Sequence, residues 1–244
     1  MFRAEIDGRP LKFDHAGMFG LNFTIADRET RTRWQQETGE ATEGPLKGRR
    51  LAVYPFLMTT WKAWRARHPE TLALVPLPDL APIYAREWAA RQATAAAGRT
   101  GAPSEAQTLV PPDTRLPAFD LVLGIEAGGA RRAYPLAVLK QEGVINDQLG
   151  GEPVLLVYTA ADDTVTMFTR RANARTLTFE RRGPSGDLVD VETGSRWNEY
   201  GEGLSGALQG ARLPVLVAAP QYWWAWAAYG GDTTVYGGKN GSPR

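Results

Sequence analysis

Several pairs of acidic residues recur at corresponding places in the two halves of this 244-residue chain, among them Asp27 with Asp190, Glu40 with Glu202 and Glu70 with Asp232. Two carboxylates held about 5–10 Å apart can act as general acid and general base on a glycoside. If a pseudo-twofold axis relates the halves, one pair could meet between them. The alternative is that each aspartate holds a turn in its own half by accepting backbone hydrogen bonds. We favour the structural role for these acids and keep catalysis as an alternative.

The composition excludes several other kinds of catalytic chemistry. The sequence has no cysteine and two histidines, His15 and His68, which excludes thiolate metal sites, cysteine nucleophiles and a three-histidine zinc centre within one chain. We therefore predict no metal site, and no cofactor is evident. The segment 203–207 approaches the G-x-S-x-G pattern of serine hydrolases but has alanine at the last position. His15, expected in a glycine-flanked loop, is a candidate ligand-binding residue.

The charge balance bears on the choice of partner. Lys and Arg together number 28 and Asp and Glu 27, so the net charge is +1, and the arginines are scattered among acids. Nucleic-acid-binding domains usually show a basic excess, so we predict no nucleic-acid partner. No stretch approaches the roughly 20 apolar residues of a membrane helix, so we predict no membrane span. An unknown small ligand or protein partner is left open.

Asp27 and Asp190 belong to a repeated motif, D-x-E-T-x-[ST]-R-W. It occupies residues 27–34 and 190–197, where five of eight residues are identical. The correspondence continues through glycines and leucines to W-x-x-W at 61–64 and 223–226, and six of the eight tryptophans fall at matched positions. We infer an internal duplication of a unit of about 70 residues.

The motif predicts a β-hairpin in which the aspartate holds the turn and the tryptophan enters the core. Gly194 suits a left-handed turn position, so Arg31 in its place predicts a different turn in the first copy. Each W-x-x-W predicts one face of a short helix whose tryptophans are buried. We expect these helices to begin near Thr59 and Thr60 and near Pro220.

The rest of the pattern completes the expected fold. Residues 121–134 are predicted to form a hairpin, 135–141 a short helix, and 153–158 with 164–170 a second pair of strands. We predict an α+β fold, mostly antiparallel β, with an internal pseudo-twofold duplication and one short Trp-bearing helix per half. The expected organisation is a first repeat unit at 1–75, a helical and Gly/Pro-rich connector at 76–118, a second, complete unit at 119–237 and a disordered tail at 238–244.

Motifs in both halves resemble the bacterial family known as domain of unknown function 3179. They are Asp27-Arg28-x-Thr30 with Trp34, Gly44-Pro45-Leu46-x-Gly48, Thr60-Trp61-x-x-Trp64 with His68-Pro69-x-Thr71, Ala133-Tyr134-Pro135, Asn146-Asp147, and Trp223 to Trp226 with Asp232-Thr233. The resemblance implies Tyr134, Asn146 and Asp147 as candidate ligand-binding residues, the last two in an expected turn before Gly150. Members of the family are often exported, which implies an extracytoplasmic location.

The chain also departs from the pattern of that family. Similar members usually carry a Cys-Pro-Leu-Cys segment shortly before the strand that begins at Phe2, and this sequence has no cysteine. The chain begins within an alternating, strand-like pattern and shows no signal peptide, so we expect a truncated reading frame or an excised fragment. A sheet edge left open in this way could pair with a second copy in a homo-oligomer.

Three functional hypotheses follow. The leading one is a non-catalytic binding or structural module of the bacterial cell envelope, because no catalytic constellation is complete. The first alternative is an enzyme with paired carboxylates between the halves, directed at a glycoside or at metal-assisted hydrolysis. The second alternative is a fragment of a metal-binding or redox protein whose Cys-x-x-Cys segment lay upstream.

Overall fold

The computed structural model describes residues 2–19, 22–36, 38–54, 56, 58–75, 77–97, 113–183, 186–218, 220–229 and 232–237. The predicted tail at 238–244 and the part of the connector at 98–112 lie outside the described residues. Within the described part, nineteen strands pair almost entirely antiparallel and four α-helices accompany them. The predicted α+β class with mostly antiparallel β structure is confirmed.

The first part of the chain forms two small antiparallel sheets. A short hairpin precedes a four-stranded meander in the order β3-β4-β5-β6. The strands are β1 (Glu5–Ile6), β2 (Arg9–Pro10), β3 (Phe13–Phe19), β4 (Asn22–Asp27), β5 (Arg33–Gln35) and β6 (Ala41–Glu43). Trp34 is fully buried between these sheets, with Leu11 and Leu51 packed around it.

Two helices follow the first meander. Helix α1 (Trp61–Arg67) begins where the hydroxyl of Thr60 accepts a hydrogen bond from the backbone N–H of Ala63 at 3.2 Å, an N-cap. A 3₁₀ turn (Pro78–Leu80) then leads into α2 (Ala81–Ala97). The helix start predicted near Thr60 is confirmed.

The middle of the chain forms a hairpin and a three-stranded sheet. Their elements are β7 (Leu121–Ala127), β8 (Ala130–Pro135), α3 (Leu136–Glu142), β9 (Val144–Leu149), β10 (Glu152–Thr159) and β11 (Thr164–Thr169). Strand β10 lies between β11 and β9. Its residues 154–157 are all buried, as expected for an apolar run covered on both faces.

The last part of the chain has the same order of strands as the first. They are β12 (Arg171–Ala172), β13 (Arg175–Thr176), β14 (Phe179–Arg182), β15 (Asp187–Asp190), β16 (Arg196–Trp197) and β17 (Gly203–Ser205). Helix α4 (Trp223–Tyr229) lies between β18 (Pro220–Tyr222) and β19 (Thr233–Val235). Strand β18 pairs antiparallel with β7 and β19 pairs parallel with β8, which gives the sheet β18-β7-β8-β19.

Three local predictions are wrong. Helix α4 begins at Trp223 rather than near Pro220, because residues 220–222 pair with β7 as a strand. His15 lies in β3 opposite Ile25 rather than in a loop. Arg31 adopts the left-handed conformation (φ +58°) that Gly194 adopts (φ +69°), so the two turns do not differ at this position.

The predicted turn at Asn146 and Asp147 is also wrong. Both residues lie in β9, opposite Leu155 and Val154 of β10. The chain turns three residues after Asp147, at Gly150, where a positive φ of +56° favours glycine.

The two W-x-x-W helices differ in how they pack. Trp223 and Trp226 of α4 are 0% and 4% exposed, whereas Trp61 and Trp64 of α1 are 51% and 37% exposed. The β7-β8 hairpin covers α4. The predicted core position is therefore confirmed for α4 and wrong for α1.

Candidate functional site

The aspartates of the repeated motif lie buried, each in its own sheet. Asp27 Oδ2 accepts a hydrogen bond from the indole Nε1 of Trp34 at 2.8 Å, and Asp190 Oδ2 accepts the equivalent bond from Trp197 at 2.9 Å. Both carboxylates also accept the backbone N–H three residues on, as the motif predicted. The contacts made by the two aspartates lie within their own sheets, β3-β6 and β14-β17, and join neither aspartate to the other.

The remaining residues of the motif hold the same turn. Glu29 and Glu192 accept hydrogen bonds from the backbone N–H groups of Lys12 (3.0 Å) and Thr178 (2.8 Å). The hydroxyls that follow, on Thr32 and Ser195, accept from the backbone N–H groups of Leu46 (3.2 Å) and Leu208 (3.0 Å). In each half, the side chains of the motif therefore hold the surrounding backbone in place by accepting its N–H groups.

The charge state of Asp27 also suits a structural role. Burial raises the pKa of its carboxyl, but the hydrogen bonds from Trp34 and Thr30 outweigh burial and leave the pKa below its usual value. A buried carboxylate that stays ionised has no proton to donate as a general acid.

The glutamates predicted as catalytic candidates form ion pairs at the sheet rims. Glu40 contacts Arg50 and Glu202 contacts Arg212, both at 2.9 Å, and each pair also forms an isolated antiparallel bridge through its backbone. These carboxylates are 37% exposed. These contacts lie at the starts of β6 and β17.

His15, the histidine ligand candidate, lies on the exposed surface of β3. Its ring packs edge-on against Phe23, with 5.3 Å between the ring centroids. Phe23 is itself 54% exposed. His15 lies on β3, whereas the other ligand candidates lie on β8 and β9.

Tyr134 and Asp147 lie in one hydrogen-bonded cluster on facing strands. Asp147 Oδ2 accepts a hydrogen bond from the hydroxyl of Tyr134 at 2.7 Å and from the guanidinium of Arg132, and its Oδ1 accepts from the backbone N–H of Gln148 at 2.7 Å. The side chains of Arg132 and Asp147 are 13% and 8% exposed. The ring of Tyr236 stacks on Tyr134 and closes the cluster.

Asn146 bonds to the backbone of another sheet, unlike Asp147. Its side-chain Nδ2 donates to the carbonyl of Phe179 at 2.7 Å, and its Oδ1 accepts from the N–H of Phe179 at 2.8 Å. The carboxamide therefore pairs with a whole backbone unit of β14, as a strand neighbour would. This contact joins β9 to the β14-β17 sheet.

The tyrosines of this cluster predict a loss of stability in alkali. Burial, and next the neighbouring Asp147, raise the pKa of Tyr134, while burial and a hydrogen bond to Glu142 raise the pKa of Tyr236 to about 12 from 10.0. Between pH 10 and 12 the unfolded chain loses phenol protons that the folded chain keeps, so stability falls as pH rises. The measurement is Tm against pH for the protein and for Tyr236→Phe. The Tm of the variant should fall less over this range than that of the unmodified protein.

The matched control for this measurement is Tyr54→Phe, because Tyr54 is 54% exposed. It should follow the unmodified protein. An unchanged pH profile in Tyr236→Phe would contradict the assignment.

A large recess lies where the first meander approaches the β7-β8 hairpin. We call it the arginine cleft, and it has a volume of about 520 Å³. Its lining residues are Phe2, Gln36, Thr38, Arg50, Val53, Phe56, Gly124, Glu126, Arg131, Val217, Ala218 and Trp226.

The charged residues of the arginine cleft form one linked group. Glu126 lies 3.8 Å from the guanidinium of Arg50 and 4.0 Å from that of Arg131. The guanidinium of Arg131 also lies over the ring of Trp226, 4.1 Å from its centroid, a cation–π contact. Sequence reasoning missed this group, because its members come from three distant segments and share no motif.

A second recess is mostly apolar. It lies along β11 with a volume of about 220 Å³, and its lining includes Phe56, Met58, Met167, Phe168 and Tyr200. Among the described residues there is no group of three or more His, Asp or Glu side chains placed to hold a metal ion. Of the helices described, none is both long and apolar enough to cross a membrane.

The fold and its sites define a β-rich α+β protein of small antiparallel sheets, with a scaffolding carboxylate in each meander and a polar cleft beside the central hairpin. The sequence matches, over residues 1–233, the family described as "Protein of unknown function (DUF3179)", and the chain belongs to that family. The resemblance inferred from its motifs is thereby confirmed. No curated protein matches the chain, and no solved structure matches it.

Proposed function

We propose that this protein is a non-catalytic binding module that holds a small organic acid in the arginine cleft. The observation that carries the proposal is the pair of guanidinium groups, Arg50 and Arg131, which both lie within 4.0 Å of the carboxylate of Glu126 beside an apolar wall. The cell-envelope setting belongs to the same proposal and rests on the family resemblance.

The guanidinium groups of the cleft favour an anionic ligand. Two arginines and one glutamate line it, and Glu40, which lies outside the lining, pairs with Arg50 at 2.9 Å. Arginine presents a planar fork of donors that matches a carboxylate or phosphonate in two parallel hydrogen bonds. A ligand anion can therefore join the group formed by Glu126 and the two guanidiniums.

The walls of the cleft favour a ligand with an apolar body. Phe2, Val53 and Phe56 line one part of it, and its volume of about 520 Å³ falls in the range of small-molecule sites. Arg131 is 15% exposed and is held over Trp226, so its guanidinium is already positioned before a ligand arrives. Positioning of this kind reduces the entropy lost on binding.

The contacts of the acids support binding rather than catalysis. Asp27 and Asp190 are buried and bonded to tryptophan, and Glu40 and Glu202 are paired with arginine. Glu126, the carboxylate in the described lining of the cleft, lies between two guanidiniums. An acid held in this way orients an arginine.

The test is a binding measurement on a panel of small acids with matched neutral amides. Calorimetry with benzoate, hexanoate and phenylphosphonate should show saturable binding, and the corresponding amides should bind far more weakly. Arg50→Gln should weaken binding by about tenfold or more, as for the loss of one charge-assisted hydrogen bond. Added salt should weaken binding as well, because the interaction is partly exposed.

The repeat provides the control. Arg212 pairs with Glu202 at the same distance as Arg50 with Glu40, and it lies outside the lining of the cleft. Arg212→Gln should leave the affinity unchanged. Equal weakening by the two variants, or no binding of any acid in the panel, would overturn the proposal.

A further inference from the structure

The two short helices α1 and α4 make the same local hydrogen bond. In α1 the indole Nε1 of Trp64 donates to the hydroxyl of Thr71 at 2.8 Å, and in α4 the indole of Trp226 donates to Thr233 at 2.7 Å. Each helix is seven residues long, and each indole reaches seven residues ahead. The helix and its indole bond to the segment that follows are therefore the same in both places.

Helix α4 has a β-hairpin packed on it. Its flanking strands β18 and β19 pair with the two outer edges of the β7-β8 hairpin. The ring of Trp226 lies directly on Gly124 of β7, where a Cβ atom would come within 2.2 Å of it. Glycine at this position is thus required for the helix to approach the hairpin.

Helix α1 presents the same surface to solvent. Its two tryptophans are 51% and 37% exposed, and Leu72 and Leu74 in the segment that follows are 94% and 99% exposed. Residues 58–60 and 71–73 correspond in position to β18 and β19, but they form no strands. The hairpin that would complete this arrangement, β7-β8, already covers α4.

We propose that α1, together with residues 58–60 and 71–75, is a docking site for an antiparallel β-hairpin of a partner polypeptide. The first strand of the hairpin would pair antiparallel with residues 58–60, and the second would run parallel to residues 71–73. The hairpin would cover Trp61 and Trp64 as β7-β8 covers Trp223 and Trp226. This proposal does not rest on the one made for the arginine cleft.

The covered copy of the site specifies the chemistry of the partner. The first strand needs apolar residues and a glycine under Trp64, since Gly124 occupies the place under Trp226. Arg131 lies over Trp226, whereas the ring of His68 already stacks on Trp64 with 4.1 Å between the centroids, so the second strand does not need an arginine at this place. The partner is thus a hairpin with the pattern of residues 121–134.

The probe is a synthetic peptide with the sequence of residues 120–135, closed by a disulfide between cysteines added at its ends. Closure is needed because an isolated two-stranded hairpin is marginally stable in water. Titrated into the full chain, a fluorescently labelled peptide should give saturable one-to-one binding. The peptide with Gly124→Val should not bind, because its side chain would meet the indole of Trp64.

Two variants of the full chain localise the binding. Trp64→Ala and Trp61→Ala should each weaken peptide binding by about tenfold or more, as for aromatic residues at the centre of an interface. The matched control is Trp88→Ala, because Trp88 on α2 is 64% exposed and lies outside the site. It should leave binding unchanged, and circular dichroism should show that all three variants remain folded.

Several results would overturn the proposal. One is a lack of binding at the highest soluble peptide concentration. Another is binding by the Gly124→Val peptide as strong as that by the unmodified peptide. A third is peptide binding by Trp61→Ala and Trp64→Ala as strong as that by the unmodified protein. Concentration-dependent dimerisation that is abolished by Trp64→Ala would also overturn it, since the occupant would then be a second copy of this chain.

Discussion

Trp197→Ala is expected to lower the free energy of unfolding by about 3–5 kcal/mol, the usual cost of truncating a buried tryptophan. Trp197 is 3% exposed, packs edge-on against Phe179, and donates its indole hydrogen to Asp190. The substitution opens a cavity and also removes one of the hydrogen bonds to the buried Asp190, which keeps those from Thr193. Urea denaturation followed by circular dichroism measures the change.

Trp61→Ala is the matched control for this prediction. Trp61 is 51% exposed, so its loss should change the free energy of unfolding by no more than about 0.5 kcal/mol. Trp197→Phe should fall between the two, because it keeps most of the ring volume and loses the bond to Asp190. A loss below about 1 kcal/mol in Trp197→Ala would mean that the motif does not anchor its sheet.

Asp147→Ala is expected to cost about 3–5 kcal/mol, as for removal of one partner from a buried ion pair. The substitution leaves the guanidinium of Arg132 and the hydroxyl of Tyr134 without their shared acceptor. Arg132 is 13% exposed, so water replaces the lost carboxylate poorly. Chemical denaturation at neutral pH measures the loss.

An exposed ion pair of the same region is the control for Asp147. Glu152 lies 3.2 Å from Arg171, and both side chains are about half exposed. Glu152→Ala should therefore cost less than about 1 kcal/mol. If Asp147→Ala cost as little as Glu152→Ala, Asp147 would not be part of the scaffold, and the binding role implied by the family resemblance would become the better assignment.

The local parts of the fold could be predicted from the sequence. The motif D-x-E-T-x-[ST]-R-W places an acceptor, a turn and a large apolar ring within eight residues, so its hydrogen bonds are nearly determined by spacing. The hairpin at 121–134 and the helix near Thr60 follow in the same way from turn glycines and capping. Arg31 shows the limit of this reasoning, since it takes a left-handed conformation where glycine was expected to be needed.

The non-local parts could not be predicted. Glu126 and Arg131 of the arginine cleft are cross-strand partners in the β7-β8 hairpin, but Arg50 meets them only because the first meander lies against that hairpin. Burial of the helix tryptophans depends in the same way on which helix the hairpin covers, so identical W-x-x-W patterns have opposite exposures. Asn146 was expected in a turn. Its place in β9 could not be predicted, because its pairing with Phe179 crosses between two sheets.

The central claim is that the arginine cleft binds a small organic acid. The most direct measurement is an anomalous difference map from crystals soaked with 4-bromobenzoate, in which the bromine marks the position of the ring. We predict a bromine peak against Phe2, Val53 and Phe56, with the carboxylate between Arg50 and Arg131. A peak only in the apolar recess along β11, or only at the protein surface, would contradict the claim.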